Sequence, residues 1–131
     1  MIVVDASALV AIGDAEPDAD ELLSCLTSNE AAMSRINYVE TGIILIGRRR
    51  LISPDDLDRW LAELGVVVDS ASDLTQGALR AYLTYGRGYH RARLNLADCF
   101  AYELAKQLDA PLLFKGNDFI YTDVEPAIQP T

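Results

Sequence analysis

Apolar residues fall along this chain in two rhythms. The short runs Ile2-Val3-Val4, Val66-Val67-Val68 and Leu112-Leu113-Phe114 have the length and character of strands, the first of them a buried parallel one. Between them, apolar residues recur every three or four positions, as on the inward side of a helix. A first helix is predicted over Ala8 to Gly13, and Pro17 opens a second with Leu22, Leu23 and Leu26 at helical spacing. Ala31 to Ser34 is a weaker strand. Ser34 then has the chemistry of a cap for a helix from Arg35 to Arg48 that carries Ile36, Val39, Ile43 and Ile44 along one side. The basic run Arg48-Arg49-Arg50 suits the carboxyl end of that helix. Ser53-Pro54-Asp55-Asp56 starts a further helix, striped by Leu57, Trp60, Leu61 and Leu64 and stopped by Gly65. Asp73 to Tyr85 and Leu94 to Leu108 read as the last two helices. A basic, glycine-containing loop, Gly86 to Arg93, separates them, and Pro111 precedes the last clear strand. A short edge strand near Val124 and a proline-bearing tail to Thr131 close the chain. Strands alternating with helices predict one domain over residues 1–131, a three-layer α/β/α arrangement with a mostly parallel central sheet.

Composition adds limits to this pattern. The 131 residues are 50% hydrophobic and 24% charged, which suits a compact domain with its own core rather than a disordered chain. No apolar run is long enough for a membrane span, and the N-terminus has no basic region or cleavage site of a signal peptide, so a cytoplasmic protein is expected. Cys25 and Cys99 lie far apart, outside any paired spacing, and are expected as reduced interior thiols. Twenty acidic residues against 11 basic give a net charge of −9, which disfavours broad attraction to nucleic acid. A local basic surface is still compatible with that total, and a carboxylate metal site would itself contribute several of the negative charges.

Four acids break the pattern. Asp5 follows the first strand at its carboxyl end, where open α/β sheets bind ligands, although Asp5 and Ser7 are also ordinary helix caps. Glu40 falls on the apolar side of its helix with Ile36, Ile43 and Ile44, where an unpaired carboxylate is costly. Asp98 lies among Leu94, Ala101, Tyr102 and Ala105, yet with Asn95 it also resembles a capping box. Asp118 follows the last strand and should reach the same sheet edge as Asp5, in what is also common turn chemistry. Asp123 is a lower-ranked candidate on the same segment. If these carboxylates converge, they need a cation to remain ionised together, and all-oxygen ligation selects Mg²⁺ or Mn²⁺. Zinc does not fit, because His90 is the only histidine and no cysteine pair is spaced for it.

The stretches Val4-Asp5-Ala6-Ser7-Ala8-Leu9, Tyr38-Val39-Glu40-Thr41-Gly42, Leu94 to Tyr102, and Leu112 to Phe119 followed by Thr122-Asp123 resemble the PIN domain, most closely the ribonuclease toxins of the VapC type. They span almost the whole chain in family order. The resemblance implies a PIN-like α/β/α fold, with Asp5, Glu40 and Asp98 as core acids, Asp118 as the fourth acidic position, and Ser7 in support. Two departures stand out: Ala97 where glycine is frequent, and Asn117 where some relatives carry another acid. The resemblance further implies metal-dependent endoribonuclease activity, a cognate VapB-type antitoxin and a homodimer, with the apolar helices around Ile43 and Trp60 as interface elements. Mg²⁺ or Mn²⁺ held by the acids would lower the pKa of a bound water and neutralise phosphate charge. Arg87, Arg91 and Arg93, with His90, form the best basic patch for an RNA backbone, and Tyr85 and Tyr89 offer rings for stacking. Arg48, Arg49 and Arg50 form a second patch. Either patch also reads as a solvated loop or helix end.

Two other readings use the same residues. A phosphatase of the haloacid-dehalogenase type also places an aspartate after its first strand and uses a later lysine, which Lys115 offers. That chemistry wants a second aspartate where Ser7 stands. A catalytically degenerate PIN-like binding module would keep the fold without the chemistry, but all the key acids are present.

Overall fold

The computed structural model describes residues 1–129; Pro130 and Thr131, the end of the predicted tail, lie outside the described residues. In chain order the elements are β1 (Ile2–Val4), α1 (Ala6–Gly13), α2 (Ala19–Thr27), β2 (Ala31–Met33), α3 (Arg35–Gly47), α4 (Pro54–Leu64), β3 (Val66–Val68), α5 (Thr75–Tyr85), α6 (Leu96–Gln107) and β4 (Leu112–Leu113), followed by a 3₁₀ turn over Phe119–Tyr121. The strands form one parallel sheet in the order β3-β2-β1-β4. The chain begins in the middle of this sheet, builds outward through β2 and β3, then returns to the other side of β1. The strand order therefore reverses between β1 and β4, and a crevice opens beyond their carboxyl ends at that reversal.

Alternation along each strand divides the interior in two. Ile2, Val4, Ala31, Met33 and Leu113 pack with Leu9 of α1, Leu22 and Leu26 of α2, and Leu57 and Leu61 of α4. Val3, Ala32 and Leu112 point the other way, onto Ala78 and Ala81 of α5 and Ala101, Leu104 and Ala105 of α6. Helices thus cover both faces, giving the three layers expected from the sequence. Cys99 is buried, Cys25 is half-buried, and both are free thiols.

Several boundaries differ from expectation for local reasons. Helix α1 begins at Ala6, because Asp5 caps it. Helix α2 begins at Ala19 rather than at Pro17, and α6 begins only after Asn95, which is its cap. The segment near Val124 is not a strand. It touches the sheet through a single bridge between Leu112 and Pro126.

The largest correction concerns α3. Most of its expected inward side is turned outward: Val39 is 52% and Ile43 is 69% exposed, and Ile36 is exposed too, while Ile44 and Glu40 are half-buried. The buried side carries Asn37, Thr41, Gly42 and Leu45 instead. Helix α3 packs against both α1 and α6, and close approach favours small side chains and satisfied polar ones. Thr41 Oγ1 donates to the Asn37 carbonyl at 2.7 Å, so neither polar group is left bare.

Candidate active site

Each acid reaches the crevice by a different local device. Asp5 stands one residue past β1, where its N–H donates to the Leu113 carbonyl at 2.9 Å and ties it to β4. Its Oδ2 caps α1 by accepting the Ser7 N–H at 3.0 Å. Its other oxygen, Oδ1, is buried and has no protein partner. Asp98 sits in the first turn of α6 in a complete capping box: its N–H donates to Asn95 Oδ1 at 2.8 Å, and its Oδ2 accepts the Asn95 N–H at 3.0 Å. Capping therefore occupies part of each aspartate and leaves the remainder available. Glu40 comes from α3 and is half-buried, while Asp118 comes from the turn after β4.

Asp5, Glu40, Asp98 and Asp118 line a single hollow of about 220 Å³, together with Ser7, Asn95, Ile44, Lys115 and Phe119. The electrostatics show how closely the carboxyls crowd. Burial pushes Asp5 up to about 6, against the hydroxyl and N–H of Ser7, with the charge of Glu40 adding to the rise. Asp98 is pushed up to about 7, first by burial and then by Asp5; the Asn95 N–H and Arg87 oppose this and Asp118 reinforces it. Glu40 is raised by burial and by Asp98, and the Asn37 side chain moderates the rise. Acids from four separate parts of the chain thus crowd one hollow, and the charge of neighbouring acids disfavours that of Asp5, Glu40 and Asp98, the condition a cation relieves.

The donor set suits a hard divalent ion. It is all oxygen, and it includes a desolvated carboxylate oxygen that no protein group satisfies. Among the described residues, no group of three or more Asp, Glu, His or Cys side chains is arranged to hold an ion as it stands. Holding one cation with Asp5 Oδ1 and oxygens of Glu40, Asp98 and Asp118 would require side-chain movement within the hollow they line.

The other candidate residues distribute unevenly. Ser7 belongs to the hollow, and its hydroxyl accepts the Lys115 N–H at 3.0 Å. Asn117 lines an adjoining hollow of about 330 Å³ with Lys115, Gly116 and Asp18 rather than the acid hollow itself. Asp123 is absent from the hollow as well. It accepts from the Tyr102 hydroxyl and from Lys106 Nζ at 3.2 Å, which anchors the C-terminal segment to α6.

Arg87 is exposed and lines a groove between α5 and α6 that reaches Asn95, and its charge acts on Asp98. Arg91 lies over the Tyr121 ring, 4.6 Å from its centroid. Arg93 is exposed in the same loop with φ of 55°. Tyr85 is not available for stacking, because His90 and Tyr102 pack against it, whereas Tyr89 is exposed. His90 Nδ1 accepts the Ala92 N–H at 3.0 Å and so braces the loop. The second basic patch is largely committed, since Arg48 and Arg50 both clasp Asp14.

Two residues escaped the sequence reading of the site. Asn37 is wholly buried one turn before Glu40, and only its helical spacing from Glu40 marked it. Lys115, which in sequence suits only the phosphatase reading, lines the hollow while its ammonium pairs with Glu16 at 2.7 Å and Asp18 at 3.1 Å.

A PIN-domain family model matches residues 2–125, and the chain belongs to the PIN-domain family. Its relatives narrow the class to the VapC ribonucleases. It is 41% identical to ribonuclease VapC30 of Mycobacterium tuberculosis over 131 residues, covering 98% of this chain and 100% of the relative. It is 43% identical to a ribonuclease VapC of Mycolicibacterium smegmatis over 125 residues, with 94% and 97% covered. The crystal structure of Mycobacterium tuberculosis VapC20, described as a Sarcin-Ricin loop cleaving toxin, superposes with a TM-score of 0.72 at 18% identity, covering 96% of this chain and 100% of that one; at that identity it speaks for the fold. These relatives support the nuclease reading over the haloacid-dehalogenase one.

Proposed function

We propose that this VapC ribonuclease hydrolyses RNA phosphodiester bonds with Mg²⁺ or Mn²⁺ held by Asp5, Glu40, Asp98 and Asp118, and that it is the toxin partner of a VapB-type antitoxin. The observation that carries the proposal is the buried, unpartnered Oδ1 of Asp5 in a hollow shared with the other three acids. A group so desolvated is costly to leave unmatched. When bound, the ion supplies water activation and neutralises charge on the phosphate. The chain's own residues do the rest. Ser7 and Lys115 keep Asp5 and the post-β4 turn on one rim. The capping box fixes Asp98 at the start of α6. Arg87, with Arg91 and Arg93, provides the cationic loop that holds the RNA backbone beside the acids.

The exposed apolar residues Val39 and Ile43 of α3 flank an open apolar groove formed with Pro54 and Leu57 of α4, and this face supports the homodimer expected for the family. A monomer in light scattering at micromolar concentration would remove the dimer. No described helix is long and apolar enough to cross a membrane.

The nuclease proposal is tested by incubating RNA with protein stripped by EDTA, then restoring Mg²⁺ or Mn²⁺, with Asp98→Asn as control. Cleavage is expected only in the native protein with metal restored. Equal cleavage by the variant, or cleavage in EDTA, would overturn it; a catalytically degenerate module would show no cleavage in any arm.

A further inference from the structure

Asn37 is a buried polar side chain that joins two walls of the acid hollow, α3 and α6. It is 0% exposed, and both ends of its amide have a protein partner. Its Oδ1 accepts from the Ser34 hydroxyl, and its Nδ2 donates to the Ala97 carbonyl at 3.1 Å. Ala97 is the residue immediately before Asp98. On its own helix, Asn37 lies three residues before Glu40, on the neighbouring turn, and its amide favours the charged form of that carboxyl. Ser34, which caps α3, holds the amide in orientation through both its hydroxyl and the Asn37 N–H, the latter at 3.1 Å.

We infer that Asn37 is a positioning residue that fixes the spacing between Glu40 on α3 and Asp98 on α6, and thereby sets the affinity of the hollow for a divalent cation. The physical ground is geometric. Glu40 and Asp98 arise from different helices yet line one hollow, so a fixed tie between those helices at this level holds the two carboxyls within reach of one ion. Among the described buried polar side chains, only Asn37 bonds directly from α3 to the first turn of α6. Outer residues that orient metal ligands commonly change metal affinity by about 10–100-fold when removed.

This inference rests on the metal-site reading above, and the test separates the two. Mn²⁺ affinity is measured by isothermal titration, and by the rise in melting temperature on adding Mn²⁺, for the native protein, Asn37→Leu and Asn37→Ala. Leu45→Ala, a buried truncation on the same helix that does not line the hollow, serves as the stability control. The two Asn37 variants differ in volume, so a failure of one to fold leaves the other to report. The expected result is Mn²⁺ binding weakened about tenfold or more in the Asn37 variants, with Leu45→Ala losing stability but keeping native affinity. Affinity within twofold of native in a folded Asn37 variant would overturn the positioning role while leaving the metal site standing. A native protein that takes up no Mn²⁺ would overturn both.

Discussion

The main-chain N–H of Lys115 donates to the hydroxyl of Ser7 at 3.0 Å, a bond between residues 108 positions apart. It fastens the segment leaving β4 to the first turn of α1, so Asp118 and Asp5 share one rim across the point where the sheet's strand order reverses. Ser7→Ala leaves that amide without its acceptor in a partly buried place. The expected cost is about 1–2 kcal/mol in urea unfolding, accompanied by weaker Mn²⁺ binding. Native values of both would show that the bond does not hold the rim.

The raised carboxyls make stability fall with pH in the absence of metal. Unfolded, Asp5 and Asp98 ionise near 3.8; folded, they do so at about 6 and about 7. Between those limits the folded chain carries more protons than the unfolded one, so stability declines as pH rises through that window and levels above it. Asp5 alone accounts for something on the order of 3 kcal/mol. The lowered carboxyls Asp14, Asp69, Asp73 and Asp123 act below about pH 4, outside the window. Urea unfolding in EDTA from pH 4.5 to 8 reads the slope directly. Added Mn²⁺ is expected to cancel or reverse it, because metal binding displaces those protons. A flat EDTA profile would contradict the crowding.

Asp98→Asn should separate capping from chemistry. The amide oxygen still accepts from the Asn95 N–H, so the capping box survives while one repelling charge leaves the hollow. Without metal at pH 7.5, the variant is expected to melt at least as high as the native protein. It should also lose the Mn²⁺-induced rise in melting temperature and at least about 100-fold of the cleavage rate. A large drop in stability instead would make Asp98 chiefly a structural cap.

Asp118 and Asp123 should behave differently although they are close in sequence. Asp118→Asn removes a carboxylate from the hollow and is expected to weaken Mn²⁺ binding and cleavage together. Asp123→Asn breaks an exposed pair with Lys106, worth about 0–1 kcal/mol, and is expected to leave cleavage within about twofold. Comparable losses of cleavage in both variants would place Asp123 at the reaction after all.

Which parts of this protein were readable in its sequence follows from the physics of each part. Ile2-Val3-Val4 announced a strand because a parallel strand covered on both faces needs a continuous apolar run. Val66-Val67-Val68 announced one through β-branched character alone, since β3 is an edge strand and Val67 is exposed. Ser34, Ser53 and Asn95 marked helix starts because capping is local chemistry, and all three caps are present. The side of α3 could not be read. Ile36, Val39 and Ile43 looked like a core stripe, yet hydrophobicity alone does not say whether an apolar face meets the interior or stays at the surface. The buried side holds Asn37, Thr41 and Gly42, whose fitness depends on partners such as Ala97 that are remote in sequence. Asp5, Glu40, Asp98 and Asp118 stood out because each sat where an acid needs a reason. Asp123 ranked lower on the same segment, and only the fold reveals that Tyr102 and Lys106 supply its reason.

The most direct test of the central claim is the anomalous scattering of Mn²⁺ soaked into crystals of the native protein. A peak is expected inside the hollow, with Asp5 Oδ1 as a ligand at about 2.0–2.3 Å and carboxylate oxygens of Glu40, Asp98 or Asp118 completing the set. A peak elsewhere, or none while the four carboxyls turn away from one another, would contradict it.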